Sequence, residues 1–266
     1  MAASRQTTYT VEAYNVSHAS ENKIHDDTVA KKLGFTGGLV PGVEVFAYAT
    51  HLAVQAYGRA WLETGEMSVR FYKPVYDGRM ATVTAVESSG GLELKVESEG
   101  VLCATGTAAL GDGTKQAPDL GSFREGSPPI DRPPADESSL AEGAVLGTQP
   151  YVLTQERSHA YLEDVRERDE QYIRDGLVHP GLLLRLCNSC LRENVVLAPW
   201  IHTGSAIRNF ASAKVGDALA ARGVVTRNYE KKGHRLVDLD IILTANGKTV
   251  LSRVLHTAVY KLRHLV

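Results

Sequence analysis

Along this chain, short stretches alternate apolar and polar residues with a period of two, as in Leu92, Leu94, Val96 and again in Val237, Leu239, Ile241. That period belongs to strands with one covered face. Between such stretches lie two runs that are apolar on nearly every side of a helix. One holds Val43, Val45, Phe46, Ala47, Ala49, Leu52, Ala53 and Val54, and the other Leu182, Leu183, Leu184, Leu186, Cys187 and Leu191. A helix with no polar face has to be wrapped by other structure.

The pattern predicts the same order of elements twice. The first copy has a strand near 8–13, a short polar helix, a glycine turn, a long helix over 43–62, and strands near 67–71, 81–86, 92–97 and 102–110. The second has a strand at 151–155, a charged helix over 160–174, a turn, a helix from Leu182, and strands near 204–210, 218–227, 236–243 and 249–260. Gly38-Leu-Val-Pro-Gly42 is answered by Gly176-Leu-Val-His-Pro-Gly181. Between the copies, Pro118, Pro128, Pro129, Pro133 and Pro134 sit among Gly, Ser and Asp, a composition that reads as a linker. The domains expected are therefore 1–110, a linker over 111–149, and 150–266, in an α+β fold.

Composition narrows the classes. With 43% hydrophobic and 23% charged residues and a net charge of −2, the chain carries no electrostatic footprint for nucleic acid. Its longest apolar stretches are broken by Glu44 and His51 and by His179 and Arg185, so neither predicts a membrane span. The opening residues lack the apolar run of a signal peptide, and a cytoplasmic location is the expectation. Three cysteines are too few for a disulfide framework. Cys187-Asn-Ser-Cys190 has redox or half-zinc spacing, but with no second Cys/His pair in an apolar run it reads as core packing, and no metal is expected.

The most specific motif is Ser20-Glu-Asn22-Lys-Ile-His25-Asp-Asp27, followed by Ala30, Gly34, the turn ending Val40-Pro41-Gly42, and the first apolar helix. It resembles the signature Asp-x-Asn-Pro-x-His of the MaoC-like (R)-specific enoyl-CoA hydratases. The resemblance implies a double hotdog, two fused folds that each wrap a curved antiparallel sheet around a long helix. It implies reversible hydration of a 2-enoyl group to a 3-hydroxyacyl group, carried as a thioester on CoA or an acyl-carrier protein. No other cofactor is implied.

Carried over, His25 is the acid/base, Asn22 supports the loop or holds water, and Gly42 offers a backbone N–H to the thioester oxygen as it becomes an enolate. A helix N-terminus favours that negative charge whatever the family. Thr50 falls where a family hydroxyl steadies the histidine, and Asp27 falls within the motif. Gly38, Val40, Pro41, Arg70 and Lys73 are candidates for binding substrate and its phosphates.

Ser20 stands where the family has its catalytic Asp, and a hydroxyl cannot accept a proton from water near neutral pH as a carboxylate can. Three readings follow. His25 works with a carboxylate borrowed from Glu21, Asp26 or Glu44, or it serves another single-base reaction of a thioester, or this half only binds. Pro41-Gly42-Val43 also resembles the turn of acyl-carrier-protein dehydratases, where a helix Glu pairs with the His; that Glu would fall at Ala47, three residues after Glu44. His179, at the matching turn of the second copy, would line a second cleft or cap its helix. The alternatives to a hydro-lyase are a thioesterase on the same fold and a non-catalytic acyl-thioester binder. A homodimer of the fused chain is allowed.

Overall fold

The structure is a computed structural model and describes residues 5–263. The first half runs β1 (Gln6–Glu12), a 3-10 turn (Lys23–His25), α1 (Asp27–Lys32), α2 (Gly42–Tyr57), α3 (Arg59–Thr64), β2 (Glu66–Phe71), β3 (Met80–Ser88), β4 (Gly91–Ser98) and β5 (Val101–Ala109). The second runs β6 (Val145–Gly147), β7 (Tyr151–Val152), α4 (Gln155–Asp164), α5 (Gln171–Arg174), α6 (Pro180–Arg192), β8 (Ile201–Asn209), β9 (Ala218–Lys231), β10 (His234–Ala245) and β11 (Thr249–Lys261).

All named strands join one antiparallel sheet in the order β1-β3-β4-β5-β2-β8-β11-β10-β9-β6, with β7 also on β9. The order reads alike from either end: β2 and β8 play the same part in their halves and pair with each other from Glu66↔Arg208 to Arg70↔Gly204. The halves are therefore hydrogen-bonded into a single sheet. Helices α2 and α6 pack against one another inside it. Their apolar runs account for this: Phe46, Ala49 and Ala53 on α2 and Leu184, Cys187, Cys190 and Leu191 on α6 are wholly buried. Burial raises the thiol pKa values of Cys187 and Cys190, so both side chains pack as core residues.

Three details depart from the sequence pattern. The helix expected to continue to residue 62 stops at Gly58, whose φ of +63° ends α2 and starts α3 in a new direction. The charged helix over 160–174 is two helices, α4 and α5, and its charge masks an apolar face on which Tyr161, Leu162 and Tyr172 are buried. The Pro-rich connector sends Leu140 and Leu146 into the core and adds β6 to β9. Among the described residues, no helix is long and apolar enough to cross a membrane.

Candidate active site

His25 ends the 3-10 turn, and its backbone is held from three sides. The buried Asn15 donates from Nδ2 to the His25 carbonyl at 2.8 Å. Asp26 caps α1 by accepting from Val29 N–H at 2.9 Å, and Asp27 accepts from Gly38 N–H at 2.6 Å. Gly38 passes so close that a Cβ there would lie 2.4 Å from the His25 carbonyl oxygen, which is why this position needs glycine.

The His25 ring is 9% exposed, with Nδ1 2.6 Å from the Leu39 carbonyl and Nε2 3.3 Å from Asn22 Nδ2. A carbonyl only accepts, so Nδ1 carries the proton and Nε2 keeps its lone pair. Burial lowers the ring's pKa, with the Leu39 carbonyl opposing, so the imidazole is neutral at pH 7. Asn22 uses its remaining groups across the molecule, donating to Trp200 O at 3.0 Å and accepting from Trp200 N–H at 3.2 Å. The residue that faces His25 thus ties its turn to the start of the second half's sheet.

His25 and Asn22 open on a cleft of about 320 Å³ between the halves. Val40, Pro41 and Gly42 line one wall, Phe71 and Lys73 another, and Trp200, His202 and Asn188 the side given by the second half. Gly42 is the first residue of the 16-residue α2, so its N–H has no acceptor within the helix. A Cβ on Gly42 would stand 2.9 Å from His202 Nδ1 and 3.3 Å from Phe71 Cε2. Only glycine leaves space at this end of the helix.

His202 heads a buried chain. Its Nε2 lies 2.8 Å from Ser205 Oγ, which lies 2.9 Å from His256 Nδ1, and the two imidazoles stack at 4.2 Å. Among the described residues, His202 Nδ1 and His256 Nε2 have no hydrogen-bond partner. Burial lowers both rings, His202 to about 3 against an opposing contact with the Gly204 backbone, so both are neutral. Sequence reasoning missed these residues because His202 and Ser205 are three apart, which in a regular strand places them on opposite faces. A register shift opposite Thr257/Ala258 skips Thr203 and turns both inward.

The remaining predicted site residues divide. Val40 and Pro41 line the cleft, and exposed Lys73 stands at its edge. Ser20 does not line it: its hydroxyl donates to the Asn22 carbonyl at 3.2 Å, and it borders a separate cleft. Glu44 points away, fully buried against Arg185 of α6 at 2.5 Å, so it joins the two central helices instead of assisting His25. Burial raises the Glu44 carboxyl, with Arg185 opposing. Thr50 donates to Ala47 O at 2.7 Å within its own helix, a bond that does not steady the histidine. Asp27 and Gly38 shape the turn without lining the cleft, and Arg70 is exposed on the outer face of the sheet beside Tyr72. His179 caps α6 by accepting from Gly181 N–H at 3.1 Å and sits 3.6 Å from Glu167, which also contacts His51 at 3.1 Å. Burial alone would raise Glu167, but the neighbouring His179 and the hydrogen-bonded His51 hold it well below the usual carboxylate range.

No protein-family model and no curated protein matches the chain. Solved structures do. A conserved hypothetical protein from Mycobacterium tuberculosis, described as a double hotdog, aligns over 97% of this chain and 96% of its own with a TM-score of 0.66 at 13% identity. The chain is a double hotdog. A structure from Chloroflexus aurantiacus, named as a MaoC domain protein dehydratase, aligns over 99% of this chain and 97% of its own at TM-score 0.63 and 10% identity. Another from Thermobifida fusca, named as a thioesterase II, covers 96% and 92% at TM-score 0.51 and 17% identity. What these likenesses carry is the double-hotdog fold, in which the cleft lies beside the N-terminus of one central helix and against the opposite half.

Proposed function

We propose that the cleft hydrates and dehydrates an acyl thioester, interconverting a 2-enoyl and a 3-hydroxyacyl group carried on CoA or an acyl-carrier protein, with no cofactor beyond that carrier. One observation carries the reading: a neutral, buried His25, whose Nε2 is met by a long 3.3 Å contact from Asn22 Nδ2, lies on an apolar cleft that also holds the free N–H of Gly42 at a helix N-terminus. A base and an oxyanion donor in one cleft are what addition of water to a conjugated thioester requires.

In the hydration direction, Nε2 of His25 takes a proton from water while the oxygen bonds to the β-carbon. The C=C electrons shift to an enolate whose oxygen rests on Gly42 N–H. The imidazolium, held by its Nδ1–H on Leu39 O, then returns the proton to the α-carbon. Asn22 Nδ2–H, which lies 3.3 Å from Nε2, gives up that lone pair to the incoming water and donates to the water's oxygen instead. Ser20 takes no part, so the base works without a partner carboxylate. The second reading, thioester hydrolysis directed by a carboxylate, finds little support, because among the described residues no Asp or Glu lines the cleft.

The test is a set of short, branched and aromatic 2-enoyl-CoAs followed by mass spectrometry and by titration of free thiol. Gain of one water without thiol release supports the proposal. Release of free thiol and the unsaturated acid, with the double bond unhydrated, contradicts it in favour of hydrolysis, and unchanged thioesters across the set contradict it in favour of a binding role.

A further inference from the structure

His202 stands beside Gly42 with a ring nitrogen, Nδ1, that has no hydrogen-bond partner among the described residues. The side chain is 5% exposed, and Nδ1 would lie 2.9 Å from a Cβ on Gly42. A polar nitrogen left buried and unpaired forfeits the hydrogen bond it would make in water. A position against the open end of a helix, on the wall of the cleft, offers one use for it: a ligand oxygen shared with the helix N–H.

We propose that His202 is a second oxyanion donor, its Nδ1–H binding the thioester oxygen together with Gly42 N–H. The inference rests on the thioester reading of the cleft and adds to it a catalytic residue from the second half.

The chain behind the ring decides which nitrogen carries the proton. Ser205 has one hydroxyl hydrogen and lies between His202 Nε2 and His256 Nδ1. In one arrangement His256 Nδ1–H donates to Ser205, Ser205 donates to His202 Nε2, and the spare N–H is His202 Nδ1–H, at the cleft. In the other, the spare N–H is His256 Nε2–H, on a ring 1% exposed that does not line the cleft. An orphaned N–H is the rarer defect in a protein interior, which favours placing it where a ligand can reach it. A neutral imidazole that donates without ionising suits an enolate oxygen, because no proton needs to leave or return during the reaction. Through burial, the ring stays neutral across the working pH range.

The test compares His202→Asn, whose amide N–H stands about where Nδ1 does, with His202→Gln, whose amide reaches toward Nε2, and with His202→Ala. The first readout is the infrared stretch of a 13C-labelled carbonyl in a saturated acyl-CoA, which binds without turnover. In the wild type the band moves to lower wavenumber on binding, His202→Asn keeps most of that shift, and His202→Gln and His202→Ala lose much of it. The second readout is turnover: loss of one oxyanion donor lowers kcat by about 10²–10³ with little change in KM. The low-pH limb set by His25 stays in place. A full band shift in both His202→Gln and His202→Ala overturns the inference and leaves the hydratase reading standing, as does equal kcat in His202→Asn and His202→Gln. No bound carbonyl in the wild type overturns the thioester reading and this inference together. Loss of the low-pH limb in the variants would make His202 the proton-transfer group and also overturns it. Should His202→Ala fail to fold, the Asn and Gln pair decides alone.

Discussion

His25 is fixed at one nitrogen and available at the other, and that asymmetry sets its chemistry. With Nδ1–H held on Leu39 O, only Nε2 can take a proton from the cleft. Replacing His25 by Ala is expected to lower kcat on a 2-enoyl-CoA by about 10²–10⁴, the usual worth of a positioned general base, with the circular-dichroism spectrum unchanged. Because burial lowers this histidine from its ordinary value of 6.5, the acid limb of kcat/KM in the wild type should have its midpoint below pH 6.5. A limb centred above pH 7 would mean another base. Ser20, half-buried outside the cleft, predicts the opposite behaviour. Ser20→Ala should change stability by only about 0.5 kcal/mol and leave kcat within about twofold, as expected for a position away from the reacting atoms. A loss comparable to that of His25→Ala in steady-state kinetics would restore Ser20 to the chemistry.

Between residues and whole molecule stand the elements that bring these groups together. The start of α2 was legible in the sequence, because Pro41-Gly42 precedes a run of apolar residues that only a wrapped helix explains. Around Gly42 the structure adds a constraint that the sequence does not carry, since an added Cβ meets His202 Nδ1 at 2.9 Å. Gly42→Ala, whose Cβ makes the His202 ring shift, is expected to lose about 10²-fold or more in kcat by filling the oxygen's place. Activity near wild type in a folded Gly42→Ala would remove the oxyanion role from this helix end. The irregularity in β8 was not legible. Period-two reading places His202 opposite to Ser205, and the bulge that reverses this depends on pairing with β11, a contact some fifty residues away in sequence. Glu44 misled for the same reason: its place near the helix start suggested a partner for His25, but which way it faces is decided by Arg185 on α6, in the other half.

At the scale of the molecule, the two halves behave as one body because β2 pairs with β8 and α2 lies on α6. The repeated order of elements foretold two similar halves; the cleft that needs both, with Asn22 bonded to Trp200, followed from tertiary contacts that no local pattern encodes. Burying neutral histidines at the centre of this assembly has a consequence for stability. His25, His202 and His256 are all lowered by burial, so below their unfolded value near 6.5 the unfolded chain binds more protons than the folded one. Stability is therefore full above pH 6.5 and is lost as pH falls toward the folded values, about 3 for His202, at a rate approaching ~1.4 kcal/mol per pH unit for each histidine. Urea unfolding at pH 7, 6 and 5 should show a midpoint that drops steeply in this window, and less steeply in His202→Asn. A midpoint constant across the window would show that these rings are not buried neutral in solution.

The central claim is that His25 moves a proton between water and the α-carbon of a thioester in this cleft. Incubating a 2-enoyl-CoA in D2O with wild type and His25→Ala, and locating deuterium in the product by mass spectrometry and NMR, tests it most directly. The account predicts a 3-hydroxyacyl-CoA with one solvent deuteron on the α-carbon from the wild type and none from the variant. A labelled product formed equally by both proteins, or free thiol in place of the hydroxyacyl product, would contradict it.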